Sequence, residues 1–164
     1  MSDFINTLDV IGDDALVDSI INRNITEYAD NQITKIGKYA FSNCNNLVSI
    51  KCPAVTNLSE WALSNCTSLE IADFSALISI GRYCFNLDSK LVALIIRTGT
   101  VAYLSGAMSY SGIAQKTGYI YVPAALVDSY KVASNWKTYA TQFRALEDYT
   151  IDGTITGELD ETKT

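Results

Sequence analysis

The cysteines and a few carboxylates are the residues whose types could carry chemistry, and their spacing decides whether they do. Cys44, Cys52, Cys66 and Cys84 include no Cys-x-x-Cys pair, and the chain has no histidine. That removes the usual zinc sites, His-based triads and Cys–His nucleophile pairs. Cys44 and Cys66 stand 22 residues apart, the interval at which much of the chain repeats, so they should lie close together, and a disulfide or a metal pair can be imagined. A ladder of small buried thiols explains them better, because buried cysteine behaves as a small apolar residue. No disulfide between them is expected. Acid–base catalysis by paired carboxylates needs two acids converging in a cleft. Asp13, Asp14 and Asp73 are the candidates, and helix capping and solvent exposure account for them more simply. No catalytic residue, no metal ligand and no cofactor is expected.

Charge narrows the partners. Twelve Lys and Arg, scattered singly, stand against eighteen Asp and Glu for a net charge of -6. There is no basic stripe to neutralise phosphates, so nucleic acid is not an expected partner. No apolar run approaches the roughly 18 residues of a membrane helix, and Met1–Asn6 lacks the basic and apolar regions of a signal peptide. Neither membrane insertion nor secretion by such a leader is expected. Asn24, Asn57 and Asn65 head glycosylation-type triplets, which without a leader read as chance. With 48% hydrophobic residues in a chain of 164, one domain with a sizeable core is expected.

The elements that position these residues follow from the repeat. Counting by 22, Ile36 falls on Leu58 and Ile80, Ala40 on Ala62 and Cys84, Phe41 on Leu63 and Phe85, Cys44 on Cys66 and Asp88, and Leu47 on Leu69 and Leu91. Each unit has two halves. The first, around Tyr39-Ala40-Phe41, Trp61-Ala62-Leu63 and Tyr83-Cys84-Phe85, reads as a short helical turn with one small and one large apolar side chain inward. The second, Leu47-x-x-Ile50-x-Cys52 and its copies, ends with the period of two that marks a strand. A single unit of this size cannot bury its inward face, but stacked units share a core, and periods of 20 to 29 residues signal a solenoid.

At the amino end, Asp13-Asp14 before Ala15–Ile21 reads as an N-capped short helix, and Ile25–Tyr28 as a first, incomplete rung. The fourth unit is degenerate: Ile113 keeps the leucine position, Ala107-Met108 has slipped by one, and Ser105, Gly106, Ser109, Ser111 and Gly112 make it loop-like. A strand resumes at Gly118–Val122, with Ile120 and Val122 inward and Tyr119 and Tyr121 outward. Pro123 ends it and suits the first turn of a helix. Leu126, Tyr130 and Ala133, then Trp136, Tyr139, Ala140 and Phe143, carry helical spacing and read as a cap over the open end of the core.

The string Ile36-Gly37-x-x-Ala40-Phe41-x-x-Cys44-x-x-Leu47, with its copies at 58 and 80, resembles the BspA-like bacterial leucine-rich repeat over about residues 25–146. Departures are Leu63 for the aromatic, Asp88 for the cysteine, Ser59 for the glycine and the slipped fourth unit. The segment from Gly118 to Lys131, with Trp136 following, is similar to the terminal cap of such proteins, including ones encoded by phages and prophages. The resemblance implies a binding scaffold: family members are commonly surface or adhesion proteins, and phage-encoded ones can be virion components.

The resulting expectation is an α/β repeat, a short leucine-rich-repeat solenoid with helical caps: 1–32 the N-terminal cap and first partial rung, 33–122 the solenoid, 123–149 the C-terminal cap and 150–164 an acidic tail. If Leu47, Ile50 and Cys52 point inward, Lys51, then Ile71 and Asp73, Ile95, Tyr119 and Tyr121 point outward, and they are the expected partner-binding residues. A patch of this kind, apolar and aromatic at one end, often marks an interface. The alternative is that the carboxyl-terminal segment folds back over it. The expected function is a non-enzymatic protein-binding or assembly module, a structural or surface-attached component of a phage particle, found in the virion or in the host cytoplasm during assembly. A bacterial cell-surface adhesion protein and an enzyme built on a β-solenoid are the rivals. Virion subunits, a host surface protein or a second copy of the chain are the expected partners, with the sheet face or the tail making the contact.

Overall fold

The structure is a computed structural model and describes residues 10–11 and 24–146. Each repeat contributes two short strands in series. One set, β1 (Val10–Ile11), β3 (Lys35–Ile36), β5 (Asn57–Leu58), β7 (Ser79–Ile80) and β9 (Tyr103–Leu104), forms a five-stranded sheet in that order. The other, β2 (Glu27–Ala29), β4 (Ser49–Lys51), β6 (Ile71–Asp73), β8 (Ala93–Ile95), β10 (Tyr119–Val122) and β11 (Phe143–Ala145), forms a six-stranded sheet. Every pairing is parallel. The register follows the sequence repeat, Lys35 opposite Asn57 and Asn57 opposite Ser79, Ser49 opposite Ile71 and Ile71 opposite Ala93. Toward the carboxyl end Ser79 sits opposite Tyr103 and Ala93 opposite Tyr119, which accommodates the extra residues of the fourth unit.

The core lies between the sheets. Ile36, Leu58, Ile80 and Leu104 meet Ile50, Ala72, Leu94 and Ile120 there, with the columns Phe41–Leu63–Phe85 and Leu47–Leu69–Leu91 closing the ends of the rungs. Each fully buried Leu, Ile or Phe contributes about 1.5–3 kcal/mol.

The first half of each unit is not a helical turn. Residues 38–43 form successive tight turns, with positive φ at Tyr39 (59°) and Asn43 (65°), repeated at Trp61 and Asn65 and at Tyr83 and Leu87. The reason is hydrogen bonding between rungs. Ala40, Ser42 and Cys44 donate to carbonyls of their own turn, while Phe41 and Asn43, between them, donate to Ala62 (2.8 Å) and Ser64 (2.9 Å) of the next rung. A helix would satisfy these N–H groups internally and leave no donors for its neighbour. The two-residue strands of the five-stranded sheet were not expected either, nor was β1.

The carboxyl cap is part helix and part strand. Pro123 precedes a 3₁₀ turn at Ala124–Leu126, then comes α1 (Val127–Val132) and a second 3₁₀ segment at Lys137–Gln142. Phe143, expected on a helix, instead pairs with Ile120 through β11. The cap completes the edge of the five-stranded sheet, where β9 would otherwise present unpaired backbone groups. Tyr130 Oη accepts from the Ala102 N–H (2.9 Å), Trp136 Nε1 donates to the Ala102 carbonyl (2.7 Å), and Asn135 Nδ2 donates to the Leu104 carbonyl (2.7 Å). The expected helix near 15–21 and the acidic tail 150–164 lie outside the described residues.

Candidate interaction surface

The residues expected to form an exposed patch on the six-stranded sheet are brought together, but most are not exposed. Ile71, Ile95 and Tyr121 form a second hydrophobic cluster with Ala93, and Tyr119 and Leu146 pack against it. Asp73 is fully buried, its Oδ1 taken by Arg97, while its Oδ2 has no partner. Only Lys51 is exposed; Tyr119 is half-buried, with the Arg144 guanidinium 4.5 Å from its ring centroid. Alternation along the strands placed these side chains on the outer face, but it could not show that this face is itself a packed layer.

All four cysteines are buried and free. Burial pushes the Cys66 and Cys84 thiols well up and Cys52 up to about 12, so these three lack the thiolate character that reactivity needs. Cys66 Sγ donates to the Phe41 carbonyl (3.2 Å). At the third position of this ladder stands Asp88, fully buried. Its Oδ1 accepts from the Cys66 N–H (2.8 Å), its Oδ2 has no partner, and burial, then the neighbouring Cys66, holds its carboxyl well above the usual range. Among the described residues no group of three or more His, Cys, Asp or Glu could hold a metal.

A surface that the sequence reading did not single out runs along the corner of the rungs. Tyr39, Trp61 and Tyr83, each half-exposed and each at φ near 60°, stack on one another with centroids 6.1 and 4.6 Å apart and planes inclined by 13° and 30°. Beside them Glu60 bridges Lys38 (2.9 Å) and Arg82 (3.2 Å), and these bonds, Lys38 first, lower the Glu60 pKa. Lys38 Nζ lies 5.6 Å from the Tyr39 centroid and the Arg82 guanidinium 5.7 Å from that of Tyr83. The signal was present as an aromatic preceding each Ala-Phe position.

A model of the BspA type leucine rich repeat region matches residues 4–119 in six copies. The chain belongs to the BspA-type leucine-rich repeat family. No curated protein matches it. In this BspA-type chain the repeat therefore sets two kinds of column: inward ones that make the core and outward ones that make surfaces. One outward column, Lys35, Asn57, Ser79 and Tyr103 on the five-stranded sheet, lines a shallow groove of about 250 Å³ whose floor includes Ser59, Gly81 and Ser105. Gly81 has no room for a side chain, since a Cβ would meet Glu60 N at 2.3 Å. The next residues along these rungs, Glu60 and Arg82, belong to the charged row beside the aromatic column. Among the described residues no helix is long and apolar enough to cross a membrane.

Proposed function

We propose that the chain is a non-enzymatic protein-binding or assembly module whose contact face is the Tyr39–Trp61–Tyr83 column. One observation carries this: three bulky aromatics occupy left-handed backbone positions on successive rungs and yet remain half-exposed. The left-handed conformation costs an L-residue about 1–2 kcal/mol, and each ring pair returns about 0.5–1.5 kcal/mol. With two stacked pairs for three strained residues, the column adds little to stability, and Gly or Asn would fit its backbone better. Strain of this kind clusters where a surface is used, and Tyr and Trp are the residues that dominate protein interfaces.

The setting we propose is a structural or surface-attached component of a phage particle, supported by the likeness of the segment 118–136 to the caps of phage-encoded family members. A cell-surface adhesion protein is the second setting. Photo-cross-linking side chains placed singly at positions 61, 83 and 132 test the reading in the cells that produce the chain, position 132 being an exposed site on the cap. Discrete adducts at 61 and 83 but not at 132 are expected. Their absence, or equal labelling at 132, refutes the contact face, and the identity of the adduct separates virion subunit, host surface protein and second copy.

A further inference from the structure

We propose that this column recognises an acidic, acceptor-rich protein segment laid against the edges of its rings, an inference that rests on the contact face argued above. The stacking decides how the rings can be approached. Tyr39 and Tyr83 each turn one face to Trp61, and Lys38 and Arg82 lie within cation–π range of the two outer rings. A pyranose ring or a flat apolar side chain needs a free face, and the faces are largely taken. What remains open is the edges, and the edge is the electropositive part of an aromatic quadrupole.

The polar groups carry the same sign. Tyr39 Oη, Trp61 Nε1 and Tyr83 Oη make no hydrogen bond to another described residue, so each of the three stacked rings carries a group that can donate. Glu60 does not reverse this, because its carboxylate is held by Lys38 and Arg82. Arg82 uses one of its terminal nitrogens on Glu60, keeps 57% of its side chain exposed, and has further N–H donors for a carboxylate. On a chain whose net charge is -6, three rings with electropositive edges and a donor each, beside an exposed guanidinium, select for carboxylates and carbonyl oxygens. The complementary ligand is an extended segment rich in Glu or Asp, which can place an acceptor at each rung.

The two tryptophans make the test direct: Trp61 is half-exposed while Trp136 is buried in the cap, so a ligand-dependent change in emission reports on Trp61. The intact chain is titrated with a short peptide alternating Glu and Ser, with the same peptide carrying Gln for Glu, and with a β-linked glucose oligosaccharide. The Glu peptide is expected to bind about tenfold or more tightly than the Gln peptide at low salt, with the advantage shrinking as salt rises. Arg82→Gln, an exposed substitution, is expected to remove most of that advantage. A Glu peptide that binds no better than the Gln peptide, whether both bind or neither does, overturns the proposal. So does a response to the oligosaccharide alone, or an acid preference unchanged by Arg82→Gln. Cross-links at position 61 together with any of these results leave the contact face standing and remove only the acidic partner.

Discussion

Tyr39 and Phe41 stand two residues apart in one rung, and their columns run side by side through the same three repeats to opposite fates. Phe41, Leu63 and Phe85 are completely buried. Tyr39, Trp61 and Tyr83 are half-exposed at φ near 60°. The backbone between them explains the divergence: the side chains at the left-handed corners, Tyr39 and Asn43, stay at the surface, while Ala40, Phe41 and Ser42 between them, bonded alternately within the turn and to the next rung, are buried. Stability and recognition are thereby assigned to different columns of one repeat. A contact surface of this kind can vary without the core being repacked.

The comparison breaks first on the inner column. Phe41→Ala and Leu69→Ala each remove a fully buried side chain and should destabilise the fold by about 2–5 kcal/mol in urea unfolding, as truncations that leave a cavity. A loss under about 1 kcal/mol for both would contradict their place in the core. The cap tests whether an inner column can be finished by side chains instead of another rung. Tyr130→Phe keeps the ring but strips the acceptor from the buried Ala102 N–H, and a loss of about 1–3 kcal/mol is expected. Amide exchange should accelerate at Ala102 and not at Ile36, which lies three strands away from β9 in the regular rungs; uniform acceleration would mean that the cap acts only by burial.

Asp88 sharpens the comparison, because it is a polar residue in an inward column. Its folded pKa lies above its unfolded value of about 3.8, owing first to burial. The carboxyl therefore contributes its full stability below that unfolded value and loses it as pH rises through the folded one. Asp88→Asn keeps an oxygen for the Cys66 N–H and cannot ionise. Relative to the parent, the variant should gain melting temperature steadily as pH rises from about 4, other titrations being common to both. Parallel melting curves across pH would show that Asp88 finds a compensating partner.

How much of this was legible is seen residue by residue. Ile36, Leu47, Phe41 and their copies declared the inward columns because burial repeats with the rung. Asn43 and Asn65 carried a signal of left-handed corners, since Asn tolerates that region, but the expected helical turn passed over it. Tyr39, Trp61, Tyr83 and Leu87 carried none, because no property of these side chains favours that region. The strand Lys35–Ile36 is too short to show a period of two. The burial of Ile71, Ile95 and Tyr121 was illegible for a different reason: alternation reports which face a side chain takes, and only tertiary packing reports what lies on that face. Likewise Tyr130 and Trp136 looked like apolar cap residues, while their polar atoms complete a sheet edge that lies about thirty residues back along the chain.

The smallest expected effect is the most informative about the outer column. Trp61→Asn removes the central ring and with it both stacked pairs, at about 0.5–1.5 kcal/mol each. It also relieves the left-handed strain on a bulky residue, about 1–2 kcal/mol, because Asn enters that region readily. Trp61 is half-exposed, so little burial is lost. The terms nearly cancel, and the net change in unfolding free energy should stay within about 1 kcal/mol of zero, against several for Phe41→Ala in the neighbouring turn. Partner capture at the column should nonetheless fall, since the central aromatic of a patch carries a disproportionate share of contact energy. Urea unfolding and cross-linking at position 83 measure the two quantities on one variant. If Trp61→Asn unfolds the chain as readily as Phe41→Ala does, the aromatic column belongs to the core and the division between the two columns fails; if it is neutral in both measurements, the corner is a surface without a partner.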